Sequence, residues 1–156
     1  MPAANNRIIK RMGALAENRK ARFDYEILET LESGVELFGF EVKSVRAGRM
    51  ELPGSYVIIR GGEAYLVNAK IPAYQPKNAP EGYDPTRARR LLLHKEQISR
   101  LTGFLETNHY LIPLSTHSKK GLIKLELGLA RKRKKSDKRE VIKKREVQKK
   151  IRARED

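Results

Sequence analysis

The chain has 156 residues, no cysteine, and 34 Lys+Arg against 19 Asp+Glu, a formal charge of +15. The length suits one domain with its own core. The missing cysteine excludes a disulfide scaffold, a thiolate zinc site and a cysteine nucleophile. The charge is concentrated at one end: residues 131–156 hold fourteen Lys/Arg and five Asp/Glu, so one-sixth of the chain carries more than half of the excess. A polyanion is the natural partner for such a distribution. The tail has no aromatic residue and no wide apolar stripe, which favours nucleic acid over a membrane surface. The opening MPAANNRIIKRMGALAENRKA lacks the apolar core of a secretory signal. No stretch approaches the roughly 20 apolar residues of a membrane helix. A cytoplasmic protein is expected.

In chain order, residues 1–17 read as a flexible N-terminal segment, with a turn or two of helix around Ile8–Ala16. FDYEILETLE, residues 23–32, alternates imperfectly and reads as a strand, broken by Ser33-Gly34. Phe38, Val42 and Val45 recur at helical spacing and predict a short helix over Glu41–Ala47, closed by Gly48. Pro53-Gly54 marks a turn. SYVIIR and EAYLVNAKI, joined by Gly61-Gly62, form the clearest local pattern, a two-residue hairpin. Residues 72–87 contain Pro72, Pro76, Pro80 and Pro85, so no regular element survives and an exposed loop is expected. ARRLLL is short and apolar. Ile98, Leu101 and Leu105 predict a helix over HKEQISRLTGFLETN. HYLIPLST and KKGLIKLELGLA read as two closing strands joined near Lys119–Gly121. Residues 18–130 thus form the body. From Arg131 the composition becomes that of a basic tail with strong helix formers and few apolar residues, expected to be disordered alone and helical against a partner.

Strands, one internal helix and small size suggest a small barrel or partly open sheet, the oligonucleotide-binding barrel standing beside other α+β folds. Active-site signatures such as G-x-S-x-G, a Walker loop or H-E-x-x-H are missing. His94, His109 and His117 lack ligand spacing; His94 reads as a helix cap or flank. Asp84 reads as an Asx turn. Glu41, like most carboxylates here, reads as solvated surface. Arg19, Lys20, Arg22, Arg87, Arg89 and Arg90 flank strands, where basic residues can line a groove and pair with phosphates.

Together the segments resemble a known family. The run Asn18-Arg19-Lys20-Ala21, then Tyr25-Glu26-Ile27, Leu31-Glu32-Ser33-Gly34 and Gly39-Phe40-Glu41-Val42-Lys43-Ser44, is similar to the start of the SsrA-binding proteins, the small protein B (SmpB) family. The likeness continues through Ser55-Tyr56-Val57, Gly62-Glu63-Ala64-Tyr65-Leu66, Asp84-Pro85-Thr86-Arg87 and Arg90-Leu91-Leu92-Leu93. It closes with Ile112-Pro113-Leu114, Gly121-Leu122-Ile123-Lys124 and Asp137-Lys138-Arg139. It spans roughly residues 18–145 in the family's order.

The resemblance implies a mainly β fold, an oligonucleotide-binding-type β-barrel with flanking short helices. It implies transfer-messenger RNA (tmRNA) as partner, bound through its tRNA-like domain by a monomer. It implies an adaptor for trans-translation that catalyses nothing and carries neither cofactor nor metal. The ribosome is the second partner, its decoding centre and mRNA channel probed by the tail. Family RNA contacts fall on Asn18, Glu32 and Leu92, with phosphate contacts expected from Arg19, Lys20, Arg89 and Arg90. A carboxylate such as Glu32 fits only if it accepts hydrogen bonds from base or 2′-OH donors. Arg133, Lys134, Asp137, Lys138, Arg139, Lys143 and Arg145 are the implied ribosome-binding tail positions. The chain departs from the family pattern at Lys132, where a glycine is usual, and at Ser136 and Val147, where rings occur. The rival readings are a structural protein bound permanently to ribosomal RNA, and a nuclease, which would need clustered acids that are not visible.

Overall fold

The computed structural model describes residues 14–155. Seven strands build one sheet: β1 (Ala14–Glu17), β2 (Tyr25–Val35), β3 (Tyr56–Arg60), β4 (Glu63–Val67), β5 (Arg89–Leu92), β6 (Tyr110–Lys119) and β7 (Leu122–Lys132). Their order is β1-β6-β7-β2-β5-β4-β3, every pairing antiparallel. β3 packs against β6, so the sheet curls back on itself, the architecture expected of an oligonucleotide-binding-type barrel. Four helices flank it: α1 (Arg19–Asp24), α2 (Gly39–Arg46), α3 (Lys95–Leu105) and α4 (Lys135–Glu155). None of the described helices is long and apolar enough to cross a membrane.

The core follows from strand alternation. In β7, Ile123, Leu125, Leu127 and Leu129 point inward and are buried, while Lys124 and Glu126 between them face out. Leu66, Leu91 and Leu111 from the other strands, Leu101 from α3, and Leu52 and Ile71 from connecting segments meet them. Each such side chain contributes on the order of 1.5–3 kcal/mol when buried. The Gly61-Gly62 hairpin is as expected: both glycines hold positive φ (60° and 74°), the twist a two-residue loop requires. The β6–β7 turn, α3 and the turn at Gly54 also match the sequence pattern.

Several expectations are corrected. Ala14–Ala16 form β1 rather than helix, because pairing with β6 satisfies their backbone; Ile8–Gly13 lie outside the described residues. Residues 19–24 form a helix that the strand-like reading of Phe23 and Asp24 obscured. Ser33-Gly34 does not break β2. Gly34, near the end of β2, lies beneath Leu92, where a Cβ would lie 3.1 Å from Leu92 Cδ1, so the glycine allows a close approach rather than a turn. The proline-rich loop holds one 3-10 turn, Pro76–Asn78. β7 runs two residues into the basic segment: Arg131 Nε donates to Glu26 at 2.8 Å, and Lys132 pairs with Tyr25.

Beneath the proline-rich loop lies a buried charge network. Glu41, on α2, has no exposed side-chain surface, and neither has Arg89 on β5. Arg89 Nε donates to Glu41 Oε2 at 2.8 Å, Nη1 to the Ala69 carbonyl at 2.8 Å and Nη2 to the Pro85 carbonyl at 2.9 Å. Arg87 Nη2 donates to Glu41 Oε1, and the Phe38 N–H reaches the same oxygen at 2.8 Å. The Tyr83 hydroxyl lies 2.9 Å from Glu41 Oε2 and 2.7 Å from the Ile71 carbonyl. Burial pushes the Glu41 carboxyl up. Hydrogen bonds from Arg87, the Phe38 N–H, Arg89 and Tyr83 outweigh it and hold the group below the usual carboxylate range. Burial and the neighbouring Glu41 push the Tyr83 phenol up. Glu41 is therefore the opposite of solvated surface. It ties α2, the loop and β5 together.

Candidate nucleic-acid interface

One outer face of the sheet brings two of the expected RNA contacts, Glu32 and Leu92, onto adjoining rows. Glu32 on β2 lies directly across from Glu126 on β7, Glu126 across from Ser115 on β6, and Ser115 across from Glu17 on β1. Directly paired antiparallel residues share a face, so these side chains form one row. The next row on that face runs His117, Lys124, Gly34 and Leu92. Leu92 is 52% exposed and lies over Gly34, two residues along β2 from Glu32. A basic rim surrounds the rows: Lys119 Nζ stands 3.4 Å from Glu32, and Arg22 Nη2 3.5 Å from Glu126. A cleft of about 690 Å³ lined by Asn18, Arg19, Arg22, Ser115 and Glu126 opens beside them.

The arrangement is chemically mixed. Carboxylates repel phosphate and accept from amines and hydroxyls, the exposed leucine offers an apolar plate, and the rim supplies cations. Such a surface suits base edges, 2′-OH groups and backbone together rather than a phosphate track alone.

The expected contact residues divide by burial. Glu32, Leu92, Arg19 and Lys20 are exposed. Arg90 is partly exposed and tied to Glu63 (3.0 Å) and Glu36 (2.7 Å), whose hydrogen bonds hold its guanidinium above the usual arginine range. Arg89 is a correction: it is fully buried against Glu41 and has no surface to offer a phosphate. Asn18 is 2% exposed and does structural work. Its Oδ1 accepts from the Ala21 N–H at 3.2 Å as the cap of α1, and its Nδ2 donates to the Pro113 carbonyl at 2.9 Å. It anchors α1 on β6 and so positions Arg19 and Lys20.

His94 caps α3, its N–H donating to Gln97 at 3.0 Å. Asp84 makes the Asx turn, accepting from the Thr86 N–H at 2.9 Å. No group of three or more metal-ligating side chains occurs among the described residues. The sequence reading missed Glu126 and Lys119, whose signal was the polar alternation of β7 and the turn. It also missed the tyrosines beside α1, which strand periodicity hides.

The tail leaves beside α1, where β7 ends opposite Tyr25. The Arg133 N–H donates to the Asp24 carbonyl at 3.0 Å, and Lys138 Nζ lies 3.2 Å from Asp24 Oδ1. Lys138 and Arg145 each lie 5.9 Å from the Phe23 ring centre. Lys134, Arg139 and Lys143 are exposed, while the Asp137 side chain lies outside those described. Ser136 and Val147 are exposed on α4, and Lys132 stands 5.3 Å over the Tyr110 ring.

An antiparallel barrel with a mixed polar and apolar outer face, a cationic rim and a basic terminal helix belongs to the class of small nucleic-acid-binding barrels. Comparison with known proteins narrows the class. The family model described as SmpB protein matches residues 15–155. An SsrA-binding protein of Alkalilimnicola ehrlichii is 51% identical over 126 residues, covering 80% of this chain and 79% of the relative. One from Synechococcus elongatus is 46% identical over 138 residues, covering 88% and 90%. A solved structure described as "tmRNA-SmpB: a journey to the center of the bacterial ribosome" superposes with a TM-score of 0.64 at 44% identity, covering 81% of this chain and 92% of that one. The chain belongs to the SmpB family.

Proposed function

We propose that this protein is the RNA-binding adaptor of trans-translation: it binds the tRNA-like domain of tmRNA, accompanies it to stalled ribosomes and catalyses nothing. The observation that carries the reading is the outer face on which Glu32 and Leu92 share adjoining rows with a cationic rim, in a chain of the SmpB family. Glu32 takes the role of acceptor for base or 2′-OH donors, and Leu92 that of a plate for an unstacked base. Arg19, Lys20 and the exposed part of Arg90 neutralise phosphates, and Asn18 holds the first two in place. Working with ribosomes puts the protein in the cytoplasm.

The tail has a separate task in this reading. Arg133, Lys134, Asp137, Lys138, Arg139, Lys143 and Arg145 serve the ribosome, the helix entering an mRNA channel left empty by a truncated message. Phosphates lining such a channel offset the repulsion among the basic side chains and hold α4 helical where the free tail would fray.

The test is a gel-shift titration of tmRNA with Glu32→Ala and Leu92→Ala. Removing a charged hydrogen-bond acceptor costs about 1.5–3 kcal/mol, so Glu32→Ala is expected to weaken binding roughly 10–150-fold. Both side chains are largely solvent-facing, so thermal stability is expected to stay near wild type. Wild-type affinity in both variants would sink the assignment.

A further inference from the structure

Around the corner from the Glu32 face, a second cleft of about 350 Å³ opens beside α1. Tyr25, Tyr56 and Tyr110 line it together with Lys20 and Asp24. The size lies at the lower end of small-ligand sites. Its rings are arranged rather than scattered. Tyr25 and Tyr110 meet edge to face at 5.5 Å between centroids. Lys132, next along β7, stands over the Tyr110 ring at 5.3 Å. Tyr56, at the start of β3, is 42% exposed, a large amphipathic ring beside a concavity with no aromatic partner of its own among the described residues.

The charges sort the occupant. Lys20 is exposed and has no ion-pair partner among the described residues, so it is free to meet an anion at the rim. The Asp24 carboxylate, already 3.2 Å from Lys138 Nζ, disfavours a phosphate beside it and favours an amine or hydroxyl donor. A flat π-face, a donor-bearing edge and one phosphate outside describe a nucleotide. A duplex does not enter a cleft of this kind; an unstacked base does.

We propose that this tyrosine cleft holds one unpaired nucleotide of the bound tmRNA, its base stacked on Tyr56 and its phosphate met by Lys20. The proposal rests on the tmRNA-binding reading above. The same RNA is the occupant because the two clefts share a wall: Asn18 lines both, so a strand on the Glu32 face needs only to round the start of α1 to reach Tyr56. The site extends the interface from hydrogen-bond readout on the sheet to a stacking anchor beyond its edge.

The experiment is a titration of tmRNA with the full-length protein carrying Tyr56→Ala, Tyr56→Phe, Lys20→Ala or Leu92→Ala, across a range of salt concentrations. Loss of a base–aromatic stack is expected to weaken binding by about fivefold to 100-fold in Tyr56→Ala. Tyr56→Phe keeps the ring and is expected to stay within about twofold of wild type, which an effect through the hydroxyl would not give. The slope of log K against log salt is expected to be unchanged in Tyr56→Ala and to lose about one unit in Lys20→Ala, since only the second removes a phosphate contact. Circular dichroism of each variant confirms the fold, and the exposure of Tyr56 makes truncation tolerable. Wild-type affinity in Tyr56→Ala, with Leu92→Ala still weakened, overturns the nucleotide site and leaves the adaptor reading standing. Wild-type affinity in both overturns the two together.

Discussion

Replacing Glu41 with glutamine exchanges one oxygen for an amide nitrogen and changes almost no volume, yet it strikes a fully buried side chain. Donors from Phe38, Tyr83, Arg87 and Arg89 converge on its two oxygens. A carboxylate accepts at both ends; an amide accepts at one and presents N–H groups at the other. Whichever way the amide turns, donors that met Glu41 meet another donor. The Arg89 guanidinium keeps the Ala69 and Pro85 carbonyls but loses its counter-charge with no exposed surface to recover hydration. Breaking one half of a buried pair costs about 3–5 kcal/mol, a large part of a domain's total of about 5–15 kcal/mol. Urea unfolding followed by circular dichroism is expected to show Glu41→Gln losing that amount with the slope m unchanged. Leu91, two residues along β5 from Arg89, would lose its anchor in the same transition, so the unfolding stays cooperative. A loss below about 0.5 kcal/mol, the scale of an ordinary surface change, would refute the view that the pair fastens α2 and the proline-rich loop to the sheet.

The pH dependence follows with a definite sign. The folded Glu41 carboxyl is held below its ordinary 4.5, so its contribution is fully present above that value and is lost as pH falls through the lower, folded value. The urea midpoint of the wild type is expected to drop below about pH 4.5 more steeply than that of Glu41→Gln; identical acid slopes would exclude Glu41 as a source. Stopping the chain after Lys134 is expected to leave tmRNA affinity nearly normal and to abolish peptide transfer to alanyl-tmRNA on ribosomes stalled on a truncated message. Transfer at the wild-type rate would reduce the tail to a solubility arm.

What the sequence could and could not disclose divides along physical lines. The Gly61-Gly62 hairpin, the α3 stripe of Ile98 and Leu101, and the alternation of β7 are local patterns, and each survived into the structure. β1 was illegible because a four-residue edge strand owes its conformation to β6 rather than to its own residues. Glu41 and Arg89 misled for a related reason. Charged residues are almost never fully buried unless paired, and their partners lie 46 and 48 residues apart in the chain, beyond any local window. Asn18 was expected as an RNA contact from the family resemblance, and its capping role follows only from the geometry of α1 against Pro113. Glu32 and Leu92 came from the family resemblance; that they lie on adjoining rows is a matter of register, which no motif states.

The pairing of charges completes the division between body and tail. On the body, Arg22, Arg90, Arg100 and Lys119 each stand within salt-bridge distance of a glutamate. Exposed pairs of this kind add little stability, about 0–1 kcal/mol each, but they mute the field that the same cations would project alone. A surface on which many cations already face glutamates relies less on charge alone to choose its partner. It must recognise RNA by fit: a carboxylate where a donor arrives, a leucine where a base unstacks, a ring beside a cleft. The tail is built the other way, with an excess of nine positive charges over residues 131–156 and few apolar groups to constrain its path. Long-range attraction falls off within about 10 Å at ordinary salt, so such a segment acts only once the body has brought it close to phosphates. In the adaptor reading proposed above, docking by the barrel therefore precedes electrostatic engagement by the tail.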